Sequence, residues 1–294
     1  MLEFLFNSVA INFLQSFSSP LIDLFFKNIT HFGNPIFWLI ISAMFYWVGK
    51  EKASMYLTNL MLFSAMTVEV LKIYFVSPRP ELVFGNKIRV LSVEEFSTYS
   101  FPSGHATLAS SVFSFYATNK SMILTLALLL LVFLVALSRL YLGVHFLGDV
   151  IAGIILGIIL GQFNKHVSSR LDKAKLQLSR FKEEFLILIA FIASIAVLAV
   201  SQNYTISALF FGYYVGFFML KETNYSCSKL SKNQLIVKFF IGFALIGLLS
   251  IIALNSIKQD FIISYLMFLI LGLWVSLLYP LLFERMILKS LPKV

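Results

Sequence analysis

Apolar runs of roughly 16–23 residues recur along this chain at short intervals, each long enough to cross a hydrocarbon core about 30 Å thick. In lipid every backbone N–H and C=O must find its partner inside the protein, so spans of this kind are α-helices. A water-soluble core would alternate its apolar runs with periodic polar faces. This chain is 59% hydrophobic, carries 32 Phe and does not alternate in that way. It is therefore read as all-α, a polytopic membrane helix bundle. Nine spans are expected, near 33–49, 54–76, 104–119, 121–142, 146–164, 185–201, 204–220, 238–255 and 261–283.

The formal net charge is +9. In a soluble protein that balance would point to nucleic acid, but here the loops account for it and no nucleic-acid partner is expected. If Lys50 and Lys52 are cytoplasmic, alternate loops place most of the 23 Lys and Arg on the same side, as the positive-inside bias requires. The N-terminus then lies outside a plasma or inner membrane, and the C-terminus lies in the cytoplasm. Cys227, the one cysteine, excludes an intramolecular disulfide and offers no metal-binding spacing. The opening MLEFLFNSVA lacks a basic n-region, so no cleaved signal peptide is expected. Residues 1–32 mix Asn7, Asn12, Gln15, Asp23 and Lys27 with apolar residues around Pro20, a pattern for two short interfacial helices.

Residues 33–165 then read as a five-span core and 185–294 as a four-span extension. The basic stretch 166–184 between them reads as a solvated cytoplasmic connector with some contact to anionic lipid. Gly153, Gly157 and Gly161 share one helix face, as do Gly212 and Gly216, and such faces of small residues allow close helix packing.

Three segments keep polar residues where burial in a membrane is costly. In KIYFVSPRP, Lys72 lies near the end of a span and Arg79 follows seven residues later, with Pro78 and Pro80 ending the helix. Taken alone, these would be a snorkelling lysine and a juxtamembrane arginine. In PSGH, Pro102 suits a first helical turn, and Ser103 and Gly104 leave backbone N–H groups at the positive end of the helix. That is an anion site, with Gly104 allowing close approach and His105 at its edge. In SRLYLGVHFLGD, Arg139 closes one span and His145 opens the next, with Asp149 four residues on. The carboxylate can hold the proton on Nδ1 and leave Nε2 with a lone pair. All three segments map to the external side. Three cations there match the three charged oxygens of a phosphoryl group. One histidine with an orienting carboxylate makes a nucleophile, and the second makes a general acid.

These segments resemble the signature motifs of the type 2 phosphatidic acid phosphatase superfamily. Lys72–x6–Arg79–Pro80, Pro102–Ser103–Gly104–His105 and Ser138–Arg139–x5–His145–x3–Asp149 agree with them at all eleven specified positions. The resemblance implies that His145 attacks phosphorus, that Asp149 orients it and that His105 protonates the leaving oxygen. It implies phosphate binding by Lys72, Arg79, Ser103, Gly104 and Arg139, and a phosphatase that needs no metal or other cofactor. The nine-span, N-outside layout is similar to glucose-6-phosphatase and the sphingosine-phosphate phosphatases. Expected partners are the bilayer and a lipid phosphate such as undecaprenyl diphosphate, phosphatidylglycerophosphate, phosphatidate or a sphingoid-base phosphate. A lipid A phosphate or a sugar phosphate fits the same chemistry. The alternatives are a phosphotransferase using the same phosphoenzyme and, from another class, a non-catalytic lipid transporter, which would need no nucleophile. His31 and His166 match no motif and read as interfacial and cytoplasmic. Glu69 is placed either to pair with Lys72 or to face solvent.

Overall fold

A computed structural model of the chain describes residues 2–91, 99–117, 121–173, 192, 194–196, 198–199, 204–223, 230–256 and 261–287. The described residues are helical throughout, with a single isolated antiparallel bridge between Pro78 and Tyr99. An all-α membrane helix bundle is therefore observed. Five helices among the described residues are long and apolar enough to span a membrane, and Pro35–Trp47 and Tyr204–Leu220 are shorter apolar helices. The count of nine is not established. The expected span at 185–201 falls largely outside the described residues, as do Cys227 and the connector beyond 173. The helix Gly104–Tyr116 has 13 residues and rises only about 20 Å, short of a full crossing.

The chain forms two compact units. One comprises Met1–Ile40 and Tyr56–Lys175. It opens with α1 (Val9–Gln15) and α2 (Pro20–Ile29). The start of α2 is written locally: Ser19 Oγ accepts from Ile22 N at 3.3 Å, Pro20 occupies the first turn, and Asp23 and Lys27 match the two ends of the helix dipole. A 3₁₀ turn, Thr30–Gly33, leads into α3 (Pro35–Trp47). The long α4 (Glu51–Phe75) ends before the Pro78 and Pro80 loop, and the short α5 is Pro80–Phe84. Next come α6 (Gly104–Tyr116), α7 (Met122–Tyr141) and α8 (Leu147–Lys173).

Glycines bring α6 and α8 together. A Cβ on Gly153 would stand 2.7 Å from Ser103 O, one on Gly157 2.2 Å from Thr107 O, and one on Gly161 2.4 Å from Ser111 O. The backbones thus meet where any side chain would force them apart, which in lipid is the main source of helix–helix attraction. Polar side chains add to it: Ser114 Oγ donates to Ile158 O at 2.9 Å, and Gln162 Nε2 donates to Ser114 O at 2.9 Å. The consequence for function is that the N-terminal ends of α6 and α8 are fixed side by side.

The second unit comprises Ile41–Met55 and Leu176–Val294. Its helices are α9 (Tyr204–Glu222), α10 (Lys232–Ser256) and α11 (Phe261–Leu273), the last followed by π-helical turns at Trp274–Leu278 and Phe283–Ile287. Trp47, Tyr213, Phe217, Tyr279 and Phe283 are its buried aromatic core. Trp47 Nε1 donates to Val275 O at 3.0 Å, and Ser54 Oγ lies 2.8 Å from Tyr213 OH. A Cβ on Gly212 would stand 2.1 Å from Leu269 O and one on Gly216 2.2 Å from Ser276 Oγ, so these glycines serve packing, as their spacing implied.

Candidate active site

The three polar segments converge within the first unit. Lys72, in the last turn of α4, is buried, with Nζ 3.9 Å from Glu69 Oε1. Glu69 therefore faces the lysine at the outer limit of an ion pair. Arg79 stands just ahead of α5, buried, and Nη1 donates to Val144 O at 3.4 Å. Arg139, buried near the end of α7, donates from Nη1 to Thr30 Oγ1 at 2.5 Å. Arg79 is thus aimed at the turn 139–149, while Arg139, which opens that turn, is held by the 3₁₀ turn that begins at Thr30.

That turn depends on one glycine. Gly143 has φ +75°, and a Cβ there would stand 2.4 Å from Arg89 O, so no other residue fits without strain. It ends α7 and lets Val144 N return to Arg139 O at 3.3 Å. His145 stands ahead of α8, which begins at Leu147, so His145 and Asp149 do not share a helix face as the spacing implied. Asp149, in the first turn, caps the helix instead: its Oδ2 accepts from Phe146 N at 2.8 Å. The same oxygen lies 3.5 Å from His145 Nδ1. Between the two sits Ser100, with Oγ 2.5 Å from Asp149 Oδ2 and 3.2 Å from His145 Nδ1. Burial, then the charges of Arg139, Arg79 and Lys72, hold the His145 imidazole well below its ordinary pKa.

At the mouth of α6 the pattern differs in one respect from the sequence reading. The Ser103 N–H is not free, because it donates to Asp149 O at 3.0 Å and ties α6 to α8. The Ser103 hydroxyl, by contrast, is buried and has no hydrogen-bond partner in the protein. It makes no cap, although Ser103 occupies the cap position. A Cβ on Gly104 would meet only Val68 Cγ1, at 3.6 Å, so packing does not demand glycine there. The amides of the first turn of α6 have no intrahelical acceptors and carry the positive end of the dipole. His105 is the second residue of this helix. Hydrogen bonds from Arg79 to Val144 O, from Ser100 N to Ser77 O and from Ser103 N to Asp149 O thus tie the three motif segments together, with their buried cations beside a carboxylate-supported imidazole. Among the described residues no three His, Cys, Asp or Glu side chains are grouped to hold a metal ion.

Sequence reasoning missed four residues. Ser100 carried no signal among the serines of STYSFPSGH. Thr30 lies 109 positions from Arg139 in a segment with no motif. Gln15 and Asp23 were visible as polar residues in apolar surroundings, but not as fasteners. Gln15 Nε2 donates to Arg89 O at 2.7 Å and to Tyr141 O at 2.8 Å, while its Oε1 accepts from Arg89 N at 2.9 Å. Asp23 accepts from Tyr141 OH and from Arg89 Nη2, the latter at 2.7 Å. The N-terminal segment is therefore fastened to the 85–91 loop and the end of α7. His31 follows Thr30 in the same turn, and a Cβ on Gly33 would meet His105 Cβ at 2.8 Å. His166, far along α8, is 3.2 Å from Arg170 Nε.

Known protein families match this chain in its motif-bearing part and in its C-terminal part. The sequence profile of the PAP2 superfamily matches residues 53–172, and that of the PAP2 superfamily phosphatase transmembrane extension matches 204–291. A dihydrosphingosine 1-phosphate phosphatase of Schizosaccharomyces pombe is 30% identical over 162 residues, 51% of this chain and 39% of that protein. Phosphatidylglycerophosphatase B of Bacillus subtilis is 40% identical over 75 residues, 22% of this chain and 36% of that protein. A lipid A 4'-phosphatase of Porphyromonas gingivalis is 27% identical over 164 residues, 51% of this chain and 67% of that protein. The match therefore spans little more than a third of each of the first two relatives.

Proposed function

Because this chain belongs to the PAP2 superfamily and is a multi-pass integral membrane protein, we propose that it is a metal-independent phosphatase that hydrolyses a lipid phosphate or diphosphate monoester through a phosphohistidine intermediate. The observation that carries the reading is the turn 139–149, where His145 is backed by Ser100 and Asp149 and faced by buried Lys72, Arg79 and Arg139. The lone pair of His145 Nε2 attacks phosphorus and the ester P–O bond breaks as His105 gives its proton to the leaving oxygen. Water then attacks the phosphohistidine while His105 takes a proton back. The P–N bond breaks, releasing inorganic phosphate and neutral His145. The three cations, the Ser103 hydroxyl and the amide at Gly104 hold the phosphoryl oxygens. Charges fixed in a site this buried stabilise the transition state far more than they would in water.

The three relatives, by their names, act on dihydrosphingosine 1-phosphate, phosphatidylglycerophosphate and the 4'-phosphate of lipid A. What these share is a phosphate monoester on an amphiphile, and that class is the proposed substrate. The site faces the external side, with the lipid tail remaining among the helices. Inorganic phosphate release by the purified protein from those three lipids, phosphatidate and undecaprenyl diphosphate tests this, with His145→Ala as control. Release from at least one lipid is expected, unchanged by EDTA and absent in His145→Ala. No release from any of them, or release that persists in the variant, would overturn the phosphatase reading. Activity lost to EDTA and restored by Mg²⁺ would overturn metal independence. Phosphate that appears on an added alcohol instead of in water would make the enzyme a phosphotransferase.

A further inference from the structure

We infer that Ser100 is a positioning residue of the nucleophile, its hydroxyl fixing His145 in the Nδ1–H tautomer that leaves Nε2 able to attack; this rests on the phosphohistidine reading of the same site. Ser100 is fully buried, so its hydroxyl must find its partners within the protein. Its backbone is pinned, with Ser100 N donating to Ser77 O at 2.8 Å beside the bridge between Pro78 and Tyr99. The loop that carries Arg79 therefore sets where the hydroxyl stands.

A hydroxyl has one proton and two lone pairs. At 2.5 Å from Asp149 Oδ2, Ser100 Oγ is the donor, because an ionised carboxylate has no proton to give. That commits the only proton. What Oγ offers to His145 Nδ1, 3.2 Å away, is a lone pair. The contact is attractive only if Nδ1 carries hydrogen, since otherwise two lone pairs would face each other. The neutral ring then has its hydrogen on Nδ1 and its lone pair on Nε2. Asp149 does not impose this directly, because its Oδ2 is 3.5 Å from Nδ1 and already accepts from Ser100 and Phe146 N. The carboxylate acts through the serine: Nδ1–H donates to Oγ, and Oγ–H donates to Oδ2. The same chain stabilises the positive ring once Nε2 has bonded to phosphorus.

Ser100 does not touch the phosphate place, so its loss should be read in turnover and not in substrate binding. Ser100→Ala should lower kcat for dioctanoyl phosphatidate in detergent by about 10- to 100-fold, the range seen when partners that orient a functional histidine are removed, with KM unchanged. In ¹⁵N-histidine spectra, with His145 assigned by its absence in His145→Ala, the wild type should show bare Nε2 and protonated Nδ1. Ser100→Ala should show a mixture of both tautomers. If Ser100→Ala does not fold, Ser100→Cys serves, its thiol being a weak acceptor of similar size, and the same changes are expected. Wild-type turnover in the variant, or reduced turnover with the Nδ1–H tautomer intact, would overturn the inference. If the wild type releases no phosphate from any lipid, the phosphatase reading fails, while the nitrogen spectra still decide whether Ser100 sets the tautomer.

Discussion

Oδ2 of Asp149 holds two donors, Ser100 Oγ and Phe146 N, and an amide oxygen in its place could accept both but brings no negative charge to stabilise the positive ring. Asp149→Asn is therefore expected to fold, because Asp149 O still receives Ser103 N, yet to lose at least about 10²-fold in kcat. The benchmark is the roughly 10⁴-fold loss on the equivalent exchange in a serine-protease triad. Less than a tenfold loss in phosphate release would show that the carboxylate is dispensable. The protonation of His145 can be checked without substrate. Burial and three cations disfavour the charged ring, so its folded pKa lies below the ordinary 6.5 and the nucleophile is neutral at pH 7. As pH falls the ring should remain neutral through 6.5 and take up its proton only below that point. An NMR titration with a His145 midpoint at or above 6.5 would contradict this. The residues to which we assign the chemistry were legible in the sequence because a Lys, Arg, His or Asp in apolar surroundings stands out. Ser100 and Thr30 were not. A hydroxyl costs a membrane helix little, so its presence signals nothing until the fold puts an acceptor or donor beside it.

Helix packing decides whether those residues meet at all. His105 and Asp149 sit at the ends of α6 and α8, and the glycine face at 153, 157 and 161 sets the distance between the two axes. A Cβ on Gly157 would stand 2.1 Å from Ser110 Oγ and 2.2 Å from Thr107 O, whereas one on Gly247 would meet nothing within 4 Å. Gly157→Leu should thus cost about 1–3 kcal/mol of stability, lower the melting temperature and abolish most activity, while Gly247→Leu leaves both near wild type. Equal effects of the two would remove packing from the explanation. The 3₁₀ turn Thr30–Gly33 contributes at the same scale, since its Thr30 Oγ1 is the acceptor for Arg139 Nη1. Thr30→Val keeps shape and removes that acceptor, so KM for a lipid phosphate should rise roughly 10- to 150-fold, the worth of one hydrogen bond to a charged group, with a smaller change in kcat. An unchanged KM would show that Arg139 is held without it. The glycine periodicity predicted a close helix contact on that face of α8, though not that α6 makes it, because small residues at a four-residue spacing have few other uses. The turn ahead of α8 was not predictable from spacing. A spacing of four from His145 to Asp149 suits a helix, but the helix begins only at Leu147, after the left-handed Gly143.

At the scale of the whole molecule, α8 connects the site to the basic connector and so fixes which way the site faces. With 27 residues it is about 40 Å long, more than a hydrocarbon core, so its two ends lie on opposite sides of the membrane. Asp149 lies in its first turn, and Lys165 and Arg170 lie along its last turns. Lys and Arg gather on the cytoplasmic side, and the stretch after Asn164 is among the most basic in the chain. On that bias we propose that the end bearing Asp149 is external, together with Ser100, the 85–91 loop and the N-terminal helices fastened to that loop through Gln15 and Asp23. The remaining outside cations follow the same logic, since Lys72, Arg79 and Arg139 are buried at the site and are not free to report on topology. Asn86 is exposed on the external loop and Ser169 is exposed near the other end of α8, which makes them suitable reporters. Asn86→Cys and Ser169→Cys, each placed in a Cys227→Ser background, should respond oppositely to a membrane-impermeant maleimide on intact cells. Position 86 should label at once, and position 169 only after the membrane is opened. Labelling at 169 with none at 86 would turn the protein over, place the site on the cytoplasmic face, and require its lipid phosphate to be presented from the inner leaflet.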